Sequence, residues 1–191
     1  MTSYCKPMFQ VDIMHLEIIN WTDKKNKLKK FCQVEKYENT SPEQLTTNYF
    51  HKKSTHFYKW QSKQITKENL EIEKILSEEL QEFSKVFDFD EIGITSSWFQ
   101  SSINGQYHDV HNHGSTGYSA VCFVDFDQDH HKPTNFLSPF NNVVTGNSVV
   151  YQPENIKEGS LIFFPSVIHH YAPPNHTKIP RLILSFNLKV G

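Results

Sequence analysis

Four residues carry groups that could do chemistry together, and their order along the chain gives them meaning. His111 and His113 stand one residue apart in HDVHNHGSTG, His170 follows in FPSVIHHYAPPN, and Arg181 begins RLILSFN. Alternate residues of a strand project to the same face, so His111 and His113 can converge on one ion from one strand end. His108 lies three residues before His111 and suits a strict strand less well, although a bend before Asn112 would bring it close. His169 and His170 are adjacent, so on a strand they face opposite ways and at most one can join the pair. Imidazole suits iron, zinc, copper and nickel alike, so these residues point to a metal without naming it. A lone histidine is more often a surface or hydrogen-bonded core group. The HxH pair with a third histidine on a later strand is what favours ligation.

Arg181 adds a second kind of chemistry. Alternation along RLILSFN puts Arg181, Ile183, Ser185 and Asn187 on one face and Leu182, Leu184 and Phe186 on the other. The second set is pure core. The first sets a cation, a hydroxyl and an amide on what would be a barrel interior, where an arginine is costly unless an anion meets it. Its planar fork suits bidentate binding of a carboxylate. The alternative partner is a structural Asp or Glu in an internal ion pair.

Such a site needs strands to hold it, and the chain supplies them after about residue 90. ITSSWFQSSI, GYSAVCFVDF, NSVVYQ, GSLIFF and RLILSFNLKV are short runs rich in β-branched and aromatic residues, separated by turn residues. Asn104-Gly105 is a tight-turn signature, and Gly146-Asn147, Glu158-Gly159 and Pro173-Pro174-Asn175 mark further breaks. Short strands at this spacing imply a sandwich or barrel of the jelly-roll or cupin kind. Residues 128–146 are polar, with His130 and His131 adjacent, and read as a mobile loop over a barrel mouth.

The first 90 residues read as a strand and supporting helices, within a single domain spanning 1–191. MFQVDIMHLEI alternates, with Phe9, Val11 and Ile13 on one face. KKNKLKKF reads as a solvated basic surface. Ser41-Pro42-Glu43-Gln44 is a helix start with a capping box, and Thr66 can open the next helix. That helix carries an apolar stripe of Ile72, Ile75, Leu76, Leu80, Phe83 and Phe87, spaced to pack on a sheet.

Bulk properties narrow the function classes. A length of 191 residues is enough for one sizeable core, and a formal charge of −2 gives no field that would recruit nucleic acid or an anionic membrane. Cys5, Cys32 and Cys122 form neither a disulfide framework nor a CxxC site, which favours a reducing cytoplasm. The N-terminus lacks a signal-peptide layout, and no apolar run reaches membrane-spanning length.

At this level of detail residues 98–187 resemble the small 2-oxoglutarate/Fe(II)-dependent oxygenases of marine bacteria and phages. The shared pattern is Ser97-Trp98-Phe99, Asn104-Gly105, His111-Asn112-His113, Phe164-Pro165-Ser166 through His170 to Pro174-Asn175, and Arg181 through Ser185-Phe186-Asn187. The resemblance implies a mainly β chain with N-terminal helices around a double-stranded β-helix. It also implies an Fe(II) site on His111, His113 and His170, and 2-oxoglutarate as co-substrate. It selects His170 over His169 by its distance of six residues from the phenylalanine of FPS. Arg181 would take the distal carboxylate of 2-oxoglutarate, with Ser185, Asn104 and Tyr118 as further cofactor contacts and Tyr107 as a wall residue. Dioxygen and a small-molecule or peptide substrate complete the implied reaction, a C–H hydroxylation.

Two positions depart from the pattern. His113 stands where the wider superfamily's HxD places an acid, so Asp109 is an alternative carboxylate and a two-histidine site a second alternative. Ile183 stands where RxS places a hydroxyl, with Ser185 one step further along the same face. A cupin metalloenzyme without 2-oxoglutarate, for which three histidines are an ordinary ligand set, and a non-catalytic jelly-roll protein are the competing readings.

Overall fold

The computed structural model describes residues 10–32 and 67–191. Along the chain come β1 (Met14–Glu17), α1 (Trp21–Lys29), α2 (Lys67–Ile75) and α3 (Ser77–Phe87). The strands β2 (Ile92–Ser102), β3 (His108–His111), β4 (Tyr118–Asp125), β5 (Asn135–Leu137), β6 (Val150–Tyr151), β7 (Ser160–Pro165), β8 (His170–Ala172) and β9 (Arg181–Val190) follow. They form a five-stranded sheet in the order β1-β7-β4-β9-β2 and a four-stranded sheet in the order β3-β8-β5-β6. All pairings are antiparallel. From β2 to β9 the chain passes repeatedly from the larger sheet to the smaller and back, which is the winding of a double-stranded β-helix.

Period-two alternation splits the larger sheet into two faces with different tasks. Ala120, Cys122 and Val124 of β4, Leu161 and Phe163 of β7, and Leu182, Leu184, Phe186 and Leu188 of β9 pack on the helices. Val121 and Phe123, Ile162 and Phe164, and Ile183 turn the other way, toward Phe136 of the smaller sheet. The apolar stripe packs as expected but on two helices rather than one, broken at Leu76: Ile72, Leu76, Leu80 and Phe83 are buried against the sheet, with Ile75 and Phe87 packed at its margin. Phe83 stacks on Phe163 with ring centroids 4.3 Å apart.

The helices are tied down by a buried ion pair. Lys24 Nζ lies 2.9 and 2.8 Å from the two oxygens of Glu79 and 2.6 Å from Glu78. Glu79 Oε1 also accepts the Ile19 backbone N–H at 3.0 Å. Burial alone would weaken the hold of Lys24 on its proton, but the two carboxylates outweigh it and the net shift is upward. The basic run is therefore not merely a solvated face, because Lys25 and Lys29 also pair with Asp125 across to β4. Glu79→Ala leaves a buried ammonium and a backbone N–H without this partner. It should cost about 3–5 kcal/mol in chemical denaturation, and a loss below about 1 kcal/mol would show that the pair is dispensable.

Other expectations need correction. The first strand begins at Met14, and its inward residues are Met14 and Leu16, because the register Met14↔Phe163 puts even positions on the helix side. Ile13 packs against the opposite cluster and Val11 is exposed. Residues 128–146 are not one loop: β5 lies within them, and His131 is buried, bonded by the Asp127 N–H and the Ile179 carbonyl. In NSVVYQ only Val150 and Tyr151 pair as strand. Cys5, Phe9, the Ser41–Gln44 capping box and Thr66 lie outside the described residues. Among the described residues Cys122 is a buried free thiol, and no helix is long and apolar enough to cross a membrane.

Candidate metal centre

The three histidines meet where the smaller sheet faces the larger. β3 and β8 pair so that His111 lies opposite His170, while His108 lies opposite Ala172 across a register shift. β3 ends at His111, yet the chain stays anchored, because the His113 N–H donates to the Ser166 carbonyl at 2.9 Å. One ligand-capable atom from each of His111, His113 and His170 lies within 4.8 Å of the others. That spacing suits three nitrogens around one ion.

Each imidazole is oriented through its Nδ1. His111 Nδ1–H donates to the Asp109 carbonyl at 2.7 Å, and His170 Nδ1–H to the Ile168 carbonyl at 3.0 Å. His113 Nδ1 lies 2.8 Å from Ser119 Oγ, whose hydroxyl donates to Asn187 Oδ1 at 2.8 Å. With that hydrogen committed, Ser119 Oγ accepts from His113 Nδ1–H and from the Ser166 hydroxyl. All three rings are thereby left with Nε2 as a free lone pair, the arrangement in which second-shell partners select the metal-binding tautomer. Burial, then the neighbouring imidazoles, hold His170 at about 2 and His113 at about 4, and burial lowers His111 as well. Neutral rings are the ligating form.

The sequence-level choices resolve in space. His170 is buried in the cluster, whereas His169 is exposed and lies near Asn112. Asp109 is exposed and offers only its backbone carbonyl to His111, so no carboxylate joins the group among the described residues. His108 is the extra member: its buried ring stacks on His111 at 3.7 Å. Burial first, then the other histidines and Arg181, push it down to about 2.

Arg181 closes the far end of the same face. It is 5% exposed, and its Nη1 donates to the carbonyls of Lys132 at 2.8 Å and Pro173 at 3.2 Å. Among the described residues it has no carboxylate partner, so the internal ion pair is not observed. Burial without a counter-charge lowers its pKa to about 10. Nη2 and Nε donate to no described residue. Ser185 is buried on the same face, paired across to Trp98 and Val121.

Two expected contacts lie elsewhere. Tyr118 is even-numbered on β4 and therefore faces the helices, packed against Phe83, Phe87 and Phe89. It cannot reach a ligand held by the histidines. Asn104 and Gly105 both have positive φ, 49° and 85°, and form the β2–β3 turn. Backbone bonds from these two residues to Thr177 and Asn175 account for Asn104, whose residue is exposed. Trp98, from the Ser97-Trp98-Phe99 motif, lies with its ring 5.2 Å from His113, and Ser119 is a wall residue that no motif singled out. Only parity along β4 could have found Ser119.

Comparison with known proteins agrees with this geometry. Residues 96–187 match a family model described as "Putative 2OG-Fe(II) oxygenase". No curated protein matches. AviO1 from Streptomyces viridochromogenes Tue57 is similar in structure, with a TM-score of 0.60 at 13% identity over 92% of this chain and 88% of that one. A 2OG-Fe(II) oxygenase family oxidoreductase from Burkholderia pseudomallei gives 0.49 at 12% identity, over 65% of this chain and 57% of that one. The viral collagen prolyl hydroxylase of Paramecium Bursaria Chlorella virus-1 gives 0.43 at 13% identity, over 65% and 75%. At 13% identity the likeness to AviO1 is one of fold, and the chain spans little more than half the length of the Burkholderia protein. The matched segment, residues 96–187, carries all three histidines and Arg181.

Proposed function

We propose that this protein is an Fe(II)- and 2-oxoglutarate-dependent oxygenase that hydroxylates its substrate. The observation that carries the reading is a convergent trio of neutral, Nδ1-anchored imidazoles with a buried arginine on the adjoining sheet face whose Nη2 and Nε donate to no described residue. The residues fit both groups: His111, His113 and His170 supply nitrogen ligands suited to iron, and Arg181 supplies a fork suited to a carboxylate. Bound iron would couple decarboxylation of 2-oxoglutarate by dioxygen to insertion of one oxygen atom into a substrate C–H bond, leaving succinate and carbon dioxide.

The chain's own contribution is ligation, orientation and dryness. Ser119, Ser166 and Asn187 hold His113 in one tautomer, and backbone carbonyls hold the other two. Phe136 and Phe164 pack beside His170, with ring centroids 6.0 and 4.7 Å away, and keep water from that side of the cluster. Arg181 would fix the far end of the co-substrate and so set the direction from which its keto-acid end approaches the metal.

A second reading keeps the metal and drops the co-substrate. It is favoured by one observation, that the clustered groups are three histidines with no acid among them. Anaerobic titration with Fe(II) and then 2-oxoglutarate separates the two, followed by admission of oxygen. The oxygenase reading expects saturable 2-oxoglutarate binding that requires metal, and then succinate. Iron binding with neither would leave the co-substrate-free metalloenzyme.

A further inference from the structure

We propose that the groove between residues 11–13 and the β5–β6 hairpin holds an uncharged, apolar part, aliphatic or aromatic, of an elongated substrate. This names a substrate class for the oxygenase reading and rests on it. The groove has a volume of about 470 Å³, with Ile13, Phe136, Pro139, Phe140, Tyr151 and Ile168 among its walls. It opens at the metal-bearing end of the sandwich, where β7 finishes at Pro165 and β8 starts at His170. Residues 11–13 reach the same end, because Met14 of β1 pairs with Phe163 near the close of β7. A single row of inner-face residues links groove and metal centre. Phe136 pairs with Tyr151 on one side and with His170 on the other, with ring centroids 6.4 and 6.0 Å away. Two strand spacings put Tyr151 about 10 Å from His170. Ile168 belongs to both regions, since it lines the groove and its carbonyl accepts from His170 Nδ1–H.

Charge selects the occupant. From Pro133 to Pro153 no residue is charged, in a chain of which 21% is, so the hairpin wall offers no cation to a phosphate or a carboxylate. Among the described lining residues only Asp12 carries a charge. It is exposed at the rim, where Gln10 Nε2 donates to it at 2.6 Å. A nucleotide or an organic acid would lose hydration against such walls and gain no partner, a cost that an apolar group escapes. Tyr151 is 53% exposed and Val11 44%, so apolar surface stands in water at the rim and its cover by a ligand is favourable. The substrate is elongated because its reacting C–H bond must reach the metal, about 10 Å beyond the apolar part.

The test follows two neutral ligands, 4-fluorotoluene and 1-butyl-4-fluorobenzene, by fluorine NMR relaxation on the full chain loaded with Zn(II) or Mn(II). Both should bind saturably, the butyl compound at least about tenfold more tightly for its added methylenes. Paramagnetic Mn(II) should speed their relaxation severalfold over Zn(II), because the groove lies about 10 Å from the centre. Tyr151→Lys and Val11→Lys, at exposed rim positions away from the histidines, should each weaken binding by about tenfold and leave Mn(II) affinity unchanged. Absent binding, equal affinity for the two compounds, indifference to both variants, or relaxation that ignores Mn(II) each overturns the inference. None of these readings uses 2-oxoglutarate or oxygen. Succinate formation without groove binding therefore sinks the groove alone, whereas groove binding without succinate sinks the oxygenase reading and leaves an apolar site beside a metal.

Discussion

Arg181→Met is expected to raise the dissociation constant of 2-oxoglutarate by about 100-fold or more and to leave metal affinity unchanged. The size follows from what would be lost, two charge-assisted hydrogen bonds in a buried site, each stronger than its solvent-exposed counterpart. The selectivity follows from geometry, since Arg181 bonds the carbonyls of Lys132 and Pro173 and none of the three histidines. Arg181→Lys sharpens the test. It keeps the charge, but one ammonium cannot hold those two carbonyls and also present a fork, so affinity should fall by about tenfold rather than recover. Calorimetry on the metal-loaded protein reads both. Full affinity in the methionine variant would mean that the open face of Arg181 meets a different anion.

The second large effect lies at the metal. His170→Ala should lower metal affinity by at least about 100-fold, because loss of a ligand costs no less than loss of the partner that orients one. His169→Ala should leave it unchanged, since that ring is exposed and outside the cluster. Competition with a chelator of known affinity measures both variants. Circular dichroism of each metal-free variant checks that the fold has survived the cavity left by a side chain only 3% exposed. Unchanged affinity in the His170 variant would show that the centre is built on other residues.

These two experiments also separate what was visible in the chain from what was not. The faces of β9 could be read from RLILSFN alone, because alternation is local: Leu182, Leu184 and Phe186 pack on the helices while Arg181, Ile183, Ser185 and Asn187 line the site. The His111–His113 convergence and the helix stripe were legible for the same reason, a period of two or of 3.6 written into neighbouring residues. Tyr118, expected as a cofactor contact, faces the helices instead, because proximity to the HxH segment says nothing about which sheet face is inward. That depends on β4 lying between β7 and β9, with helices on one side only.

The available chemistry is written in the chain: imidazoles at metal-binding spacing, a cation on a strand interior, and β-rich runs to carry them. The remaining choices were made by packing between distant segments. It turned His170 inward and left His169 outside, took Asp109 out of contention, and stacked His108 beneath His111. It also placed Trp98 of β2 beside His113. The physical reason is that these outcomes rest on register between strands far apart in the chain. β3 meets β8 about 60 residues later and β2 meets β9 about 80 to 100 later, separations over which no local preference can act.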